Sequence, residues 1–295
     1  MNTADPLASS IAPVCRDTKT GAMIRFIPRL YGSPTILPGE AVSGWLYRVS
    51  RHHGLGLYAL RRLVTADRSF SHLDFGDRLT PTMALNIASV TLSSPATILA
   101  AASPAMGVLA NRSLRCLTFD LAAMVPIYRL CCECLSEDDI PYVRRTWRIA
   151  YHLVCDRHAR GLIDSCRRCK QPFNFSGAQP QRFAYGDRLA AIRYCGHCGA
   201  DQAKEPANRL DEALWQRLRR FQDALHEVVV SGALRHPRYG TISATLALES
   251  YLATELVDKG GETIQRFSAI DFRRCFGVHA AEILEALWPR RARFS

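Results

Sequence analysis

Apolar residues recur at helical spacing near the start of the chain. In LPGEAVSGWLYRVSRHHGL, Val42, Trp45, Leu46 and Val49 stand at i, i+3, i+4 and i+7, on one face of a helix. A Pro-Gly pair precedes this pattern, a glycine follows it, and Glu40 is expected in the first turn. The pattern therefore predicts an amphipathic helix.

Three more short helices are predicted in the same region. GLYALRRLV has helical character, and Thr80-Pro81 and Ser94-Pro95 each place a capping residue before a proline at the first helical position. Short helices with short connections are typical of a helix-turn-helix-like bundle. A bundle that reads no DNA groove fits the pattern equally well, so both interpretations stay open.

The C-terminal third of the chain is again helical in pattern. NRLDEALWQRLRRFQDALHEVV predicts a helix that Asn208 would cap, with Asp211 in its first turn. TISATLALESYLATELV predicts another helix, and FSAIDFRRCFGVHAAEILEALW predicts a helix–turn–helix pair with Glu282 and Glu285 on its second helix. Because these carboxylates repel phosphate, packing or protein contact is favoured there over base readout. The apolar stripe of the first helix consists of Leu210, Leu214, Leu218, Phe221 and Leu225.

Eight of the eleven cysteines lie between these helical regions, from Leu130 to Ala200. Seven of them and one histidine form four pairs with two intervening residues, a spacing that lets one tight turn offer two ligands to a tetrahedral ion. Mixed sulfur and nitrogen ligands favour zinc, and a closed four-ligand site is structural rather than catalytic. Such a site contributes on the order of 10 kcal/mol to folding. The predicted ligands of two structural Zn²⁺ sites are Cys131, Cys134, Cys155, His158, Cys166, Cys169, Cys195 and Cys198.

The four pairs can be combined into two sites in three ways. Sequential pairing leaves intervals of 20 and 25 residues inside the two sites, each long enough for a short hairpin or helix. Nested pairing would place only seven residues between the pairs of one site and a loop of about sixty in the other. Sequential pairing is favoured, and the nested and crossed pairings stay open.

Charge and cysteine use restrict the class of protein. The chain of 295 residues has a net charge of +11, which indicates a polyanionic partner, nucleic acid first. No secretory signal is visible in the first 25 residues, so the clustered thiols are expected in a reducing cytoplasm as metal ligands rather than as disulfides. No apolar run is long and clean enough to predict a membrane span.

Aromatic and basic residues are interleaved between the first two pairs. Tyr142, Trp147 and Tyr151 alternate with arginines, a mixture suited to base stacking and phosphate contact. The favoured alternative makes Trp147 a core residue beneath the first zinc site. The candidate DNA contacts along the chain are Arg48, Arg51, Arg61, Arg62, Arg144, Arg145, Arg148, Arg167 and Arg168.

These patterns together predict a mainly α fold with small zinc-ribbon β elements. The expected order is a disordered tail (1–20), an N-terminal helix-turn-helix-like domain (21–127), a tandem zinc-binding domain (128–203) and a C-terminal helical domain (204–295). No P-loop, GxSxG, HExxH or recognisable acid pair is present, so the sequence predicts no enzymatic activity.

Two stretches of the chain resemble the TniQ family. LPGEAVSGWLYRVSRHHGL is similar to the family's P-G-E-S-x-x-S-W-x-x-R opening helix, with Ala41 and Gly44 where serines are usual. The second stretch contains, in the order typical of the family, YRLCCECL, a W-R pair and C-x-x-H. Cys132 stands where the family commonly has a proline. The resemblance covers about residues 25–200. The family-motif positions are Pro38, Gly39, Glu40, Trp45, Arg48 and Trp147.

The resemblance implies a non-enzymatic target-site selector of DNA transposition in the bacterial cytoplasm, associated with the nucleoid. Its expected partners are target DNA, reached directly or through an RNA-guided complex, and an AAA+ ATPase regulator. The oligomeric state, including a homodimer, stays open. The family's zinc ligands would fall on the eight predicted ligands in the sequential pairing. The alternatives are a zinc-stabilised DNA-binding transcription regulator and, less favoured because no acidic cluster is present, a zinc-stabilised nuclease.

Overall fold

A computed structural model describes residues 14–16, 23–25, 29–64, 79–104, 117–120, 125–175, 191–204, 209–236 and 240–248. The helices are α1 (Val42–His52), α2 (Leu57–Val64), α3 (Pro81–Thr91), α4 (Pro95–Ala100), α5 (Cys132–Glu137) and α6 (Glu212–Ser231). The strands form three antiparallel pairs within those residues: β1 (Val14–Arg16) with β2 (Met23–Arg25), β3 (Phe119–Asp120) with β4 (Val125–Pro126), and β5 (Ala233–His236) with β6 (Gly240–Ser243).

The helices α1 to α4 pack around one apolar cluster, as the periodicity predicts. The predicted face of α1 lies in this cluster, with Val42, Trp45, Leu46 and Val49 all buried. The Thr80 hydroxyl accepts a hydrogen bond from the Met83 amide at 3.1 Å and caps α3, whereas Ser94 precedes α4 without a side-chain cap. The four helices are therefore confirmed, while their helix-turn-helix-like interpretation remains a prediction.

Glu40 lies before α1, not in its first turn as the sequence predicts. Gly39 has a φ of 72°, a backbone conformation that glycine adopts without strain, and the turn carries Glu40 beneath the helix. There the Glu40 carboxylate accepts two hydrogen bonds from Arg48, at 2.7 and 2.6 Å, and both side chains are buried. The Trp45 indole donates to the Pro34 carbonyl at 2.7 Å. The family-motif residues thus fasten the segment before α1 to the helix.

The start of α1 is also joined to the cysteine-rich region. The Ala41 amide donates to the Val143 carbonyl at 2.8 Å, and the Arg145 amide donates to the Gly39 carbonyl at 2.8 Å. A Cβ added at Gly44 would lie 2.9 Å from the Val143 Cβ, closer than carbon atoms pack. Glycine at this position therefore permits the close approach of α1 to residue 143.

The described residues of the cysteine-rich region form little regular structure, and the metal-type residues take part in its core. Trp147 is fully buried in a cluster that contains most of the paired cysteines, so the favoured core interpretation of this tryptophan is confirmed. Ala41 and Tyr47 belong to the same cluster, which therefore extends across the predicted boundary at residues 127 and 128.

The C-terminal region differs from the sequence prediction in two details. Asp211 is the N-cap of α6, and its side chain accepts from the Leu214 amide at 2.9 Å; Asn208 lies outside the described residues. The β5–β6 hairpin occupies the start of TISATLALESYLATELV, and only residues 244–248 of that stretch are described as helical. The Glu282 and Glu285 pair lies outside the described residues.

The described part of the chain is mostly helical, with small two-stranded sheets, as predicted at that level. Val14–Arg16 is a strand within the segment for which the sequence predicts a disordered tail; most of that segment lies outside the described residues. None of the described helices has the length and apolar character needed to cross a membrane. The domain boundaries remain predictions.

Candidate metal centre

The first group of four predicted ligands combines Cys131, Cys134, Cys155 and His158. The His158 Nδ1 atom lies 3.4 Å from the sulfur atoms of Cys131, Cys134 and Cys155, and the sulfur atoms of Cys134 and Cys155 are 3.5 Å apart. In a tetrahedral zinc site, two sulfurs lie about 3.8 Å apart and a sulfur and a nitrogen about 3.6 Å apart. The four atoms therefore have the spacing of a tetrahedral Cys₃His site.

The second group combines Cys166, Cys169, Cys195 and Cys198. The sulfur atoms of Cys166 and Cys198 are 3.6 Å apart, and those of Cys169 and Cys195 are 3.7 Å apart. These distances agree with a tetrahedral Cys₄ site. Both groups are compatible with zinc, and four protein ligands leave no open coordination position for a substrate or a water nucleophile.

Local backbone structure presents the ligands in each group. Single antiparallel bridges close the turns around three of the pairs: Val154 with Gly161, Ser165 with Pro172, and Tyr194 with Asp201. The remaining pair lies at the start of α5, where Cys131 is the N-cap and Cys134 is in the first turn. The three minimal hairpins agree with the small β elements that the sequence predicts, whereas the first pair lies at the start of a helix.

The grouping of the ligands is the sequential one. Cys155 and His158 complete the first group, and Cys166 and Cys169 begin the second, so the stretch from His152 to Cys169 contributes to both. The nested and crossed pairings would require distances that this arrangement does not provide. Cys132 is buried beside the first group and belongs to neither.

Acidic and basic side chains surround the first group. The His158 Nε2 atom, on the ring edge away from the sulfurs, lies 3.0 Å from the Glu137 carboxylate. A carboxylate on the outer nitrogen fixes the orientation of a metal-binding imidazole and makes its inner nitrogen more basic. Arg157 pairs with Glu137 and Asp138 at 2.8 and 2.9 Å, which holds Glu137 in this position.

One thiol in each group has a lowered pKa. Hydrogen bonds from the Cys131 and Cys134 thiols, with the backbone amides of Arg157 and His158, hold the pKa of Cys155 well below its usual range. Burial raises the pKa of Cys166, but the amides of Cys169 and Arg168 outweigh it and bring the pKa to about 7. The thiolate is the form of cysteine that binds metal, so a lowered pKa favours the metal-binding form of these two side chains.

Gln202 is a further contact of the second group that the sequence does not reveal. Its side chain is buried, and its Nε2 atom lies 3.5 Å from the Cys166 sulfur and 2.8 Å from the Ala200 carbonyl. The amide therefore donates toward the thiolate from the interior. Neither Gln202 nor Glu137 stands in a spacing pattern, so only the folded arrangement identifies them.

The structure separates the nine candidate arginines into different environments. Arg48 and Arg148 are each 2 % exposed, and Arg61 is also buried, so these three do not reach DNA in this conformation. Arg144 pairs with Asp138 at 3.0 Å, and the half-buried Arg145 donates to the Ala100 carbonyl at 2.8 Å. Arg51 and Arg167 are half-buried, Arg168 is exposed, and the side chain of Arg62 lies outside the described residues.

Comparison with known proteins bears on the family resemblance. No curated protein matches the chain. Residues 32–162 match the family model named TniQ. The matched segment contains α1 to α4, the family-motif residues and the whole first metal group, and it ends before the second metal group. TniQ proteins are non-catalytic accessory proteins of DNA transposition. The match therefore supports membership of the TniQ family through residues 32–162.

Proposed function

We propose that this protein selects the target site in DNA transposition. It would hold target DNA, directly or through an RNA-guided complex, and recruit an AAA+ ATPase that regulates the transposase. The TniQ match over residues 32–162 is the observation that carries this proposal. Two closed four-ligand groups support it further, because they provide a rigid scaffold and no site for hydrolysis.

The distribution of charge favours the metal-binding region as the surface for DNA. Residues 79–111, which include α3 and α4, contain no Asp, Glu, Lys or Arg, so they offer no cation to a phosphate. By contrast, Arg168, Lys170 and Lys204 lie on or beside the turns of the second metal group and are exposed. Phosphate contacts through such cations supply most of the non-specific affinity of a protein for DNA.

We expect Arg168→Ala combined with Lys170→Ala to weaken DNA binding and to reduce its salt dependence. Removing one phosphate contact makes the slope of log K against log salt concentration shallower by about one. The slope of the double variant should therefore be shallower than that of the wild type by about two. Titrations of a labelled duplex at several salt concentrations measure this slope. Arg217→Ala with Arg220→Ala removes the same charge from exposed positions of α6 and serves as the control. A double variant at the second metal group with the wild-type slope would contradict this placement.

The function itself is tested by purifying the tagged protein from its native host with bound DNA retained. We expect an AAA+ ATPase or a transposase to co-purify, as identified by mass spectrometry, and neither to appear with an unrelated tagged zinc protein. Recovery of RNA polymerase subunits and DNA without either protein would overturn the proposal in favour of a transcription regulator.

A further inference from the structure

We infer that Gln222, on α6, is a positioning residue of the first metal group and that α6 is part of this site. Gln222 lies outside the segment that matches TniQ. The inference concerns the metal site alone and does not depend on a role in transposition. It rests on the hydrogen bonds that α6 makes to the backbone carrying Cys155 and His158.

The Gln222 side chain is fully buried and uses its whole hydrogen-bonding capacity on one short segment. Its Oε1 atom accepts from the amides of Leu153 and Val154, at 3.1 and 3.2 Å. Its Nε2 atom donates to the Val154 carbonyl at 3.2 Å and to an Asp156 carboxylate oxygen at 2.8 Å. An amide side chain offers two acceptor positions and two donors, so all four are occupied.

These contacts place Gln222 where a neighbouring strand would otherwise pair. The Val154 amide donates to the Gln222 side chain, and the Val154 carbonyl accepts from the same side chain. A residue of a neighbouring β-strand would make the same two hydrogen bonds through its backbone. Without Gln222, polar backbone groups beside Cys155 would be buried with no partner, at a cost of about 1–3 kcal/mol each. The segment would then shift, and Cys155 with it.

Other contacts of the same helical region hold the rest of this ligand-bearing turn. The Trp215 indole donates to the Cys155 carbonyl at 3.0 Å, and the Leu210 amide donates to the Ala159 carbonyl at 3.0 Å. Trp215 and Gln222 are seven residues apart and so lie on one face of α6. The apolar part of this face packs on the same segment through Leu218, Phe221 and Leu225, together with Leu153 and Val154.

Binding of metal and docking of α6 therefore stabilise each other. If α6 holds Cys155 and His158 in the metal-binding arrangement, the bound metal must favour the docked position of α6 by the same free energy. The second metal group has its own buried amide, Gln202, which lies outside α6. The coupling is expected at the first site alone.

The test compares Gln222→Met with Gln216→Met in the full-length protein. Both substitutions keep the length of the side chain on the same helix, but Gln216 is half-buried and its side-chain amide donates to Glu212 on α6 itself. Proteins loaded with Co²⁺ are challenged with a chelator, since the absorption of cobalt distinguishes three thiolates from four. We expect Gln222→Met to release the Cys₃His ion about 10-fold faster than wild type, because it loses an outer contact that supports the metal ligands. The rate of release of the Cys₄ ion should not change.

Equal release of the Cys₃His ion from the Gln222→Met and Gln216→Met variants would overturn the inference, and so would equal acceleration at both sites. If Gln222→Met does not fold, Trp215→Phe serves instead, because it keeps the aromatic packing and removes only the donor to the Cys155 carbonyl. It should accelerate release from the first site by a smaller factor. Hydrogen exchange provides an independent readout: α6 amides should exchange faster after the first ion is removed, and unchanged exchange would contradict the coupling.

Discussion

Replacing Cys166 by serine is expected to release metal and to unfold the cysteine-rich region. Cys166 is buried in the second metal group, and serine does not replace a thiolate as a zinc ligand. A structural zinc site contributes on the order of 10 kcal/mol, whereas a whole domain is stable by only about 5–15 kcal/mol. Loss of one ligand can therefore remove most of the folding free energy of this region.

The effect should extend beyond the second site, because the two metal groups share one apolar core. Cys131, Cys155 and Cys166 all belong to the cluster around Trp147. Across residues 125–175 and 191–204, little regular secondary structure is present to hold the core together once the second group is lost. We therefore expect the metal content of Cys166→Ser to fall to one ion or fewer per chain, with a large fall in melting temperature.

Cys132→Ser is the matched control for this experiment. Cys132 is buried in the same region and lies next to a predicted ligand, but it belongs to neither metal group. Native mass spectrometry and thermal unfolding, each with zinc present, would compare the two variants. The control should keep two ions and lose about 1 kcal/mol, and a Cys166→Ser variant that keeps two ions and the wild-type melting curve would show that Cys166 is not a ligand.

The metal-type residues could be predicted from the sequence because their signal is local. A tight turn presents two ligands only at a narrow range of spacings, and each of the four pairs has such a spacing. Spacing alone does not decide which pairs combine, since that depends on how distant turns approach one another. The structure groups Cys134 with Cys155 across 20 intervening residues, and this contact follows from packing rather than from spacing.

The arginines show what a sequence pattern cannot decide. Arg48 and Arg148 stand among aromatic and basic residues, which suggests a nucleic-acid surface, yet both are buried. Arg48 is held by Glu40, and Arg148 lies 4.3 Å over the Tyr128 ring and donates to the Thr118 carbonyl. Whether an arginine faces solvent or fastens two backbone segments depends on these distant partners.

Replacing Arg48 by methionine is expected to destabilise the protein by about 3–5 kcal/mol, because the Glu40 carboxylate would stay buried without its partner. The Thr35 carbonyl would also lose a hydrogen bond of 2.9 Å. Chemical denaturation measures the change in the free energy of unfolding. Arg51→Met, on the same helix and only half-buried, is the control and should cost less than 1 kcal/mol. A similar loss in both variants would contradict a special role for the ion pair.

The pH dependence of Arg48→Met identifies the buried charge as the cause. Burial raises the pKa of Glu40, and the hydrogen bonds from Arg48 oppose this rise, so removing Arg48 should raise the pKa further. A carboxyl whose pKa is higher in the folded state favours folding below its unfolded pKa, and this contribution is lost as the pH rises through the folded pKa. The deficit of Arg48→Met should therefore be smaller at about pH 5 than at about pH 8. Glu40→Gln combined with Arg48→Met should lose that pH dependence, since no buried carboxyl remains to take up a proton. If the deficit of the single variant is equal at the two pH values, lost packing rather than an unpaired charge explains it.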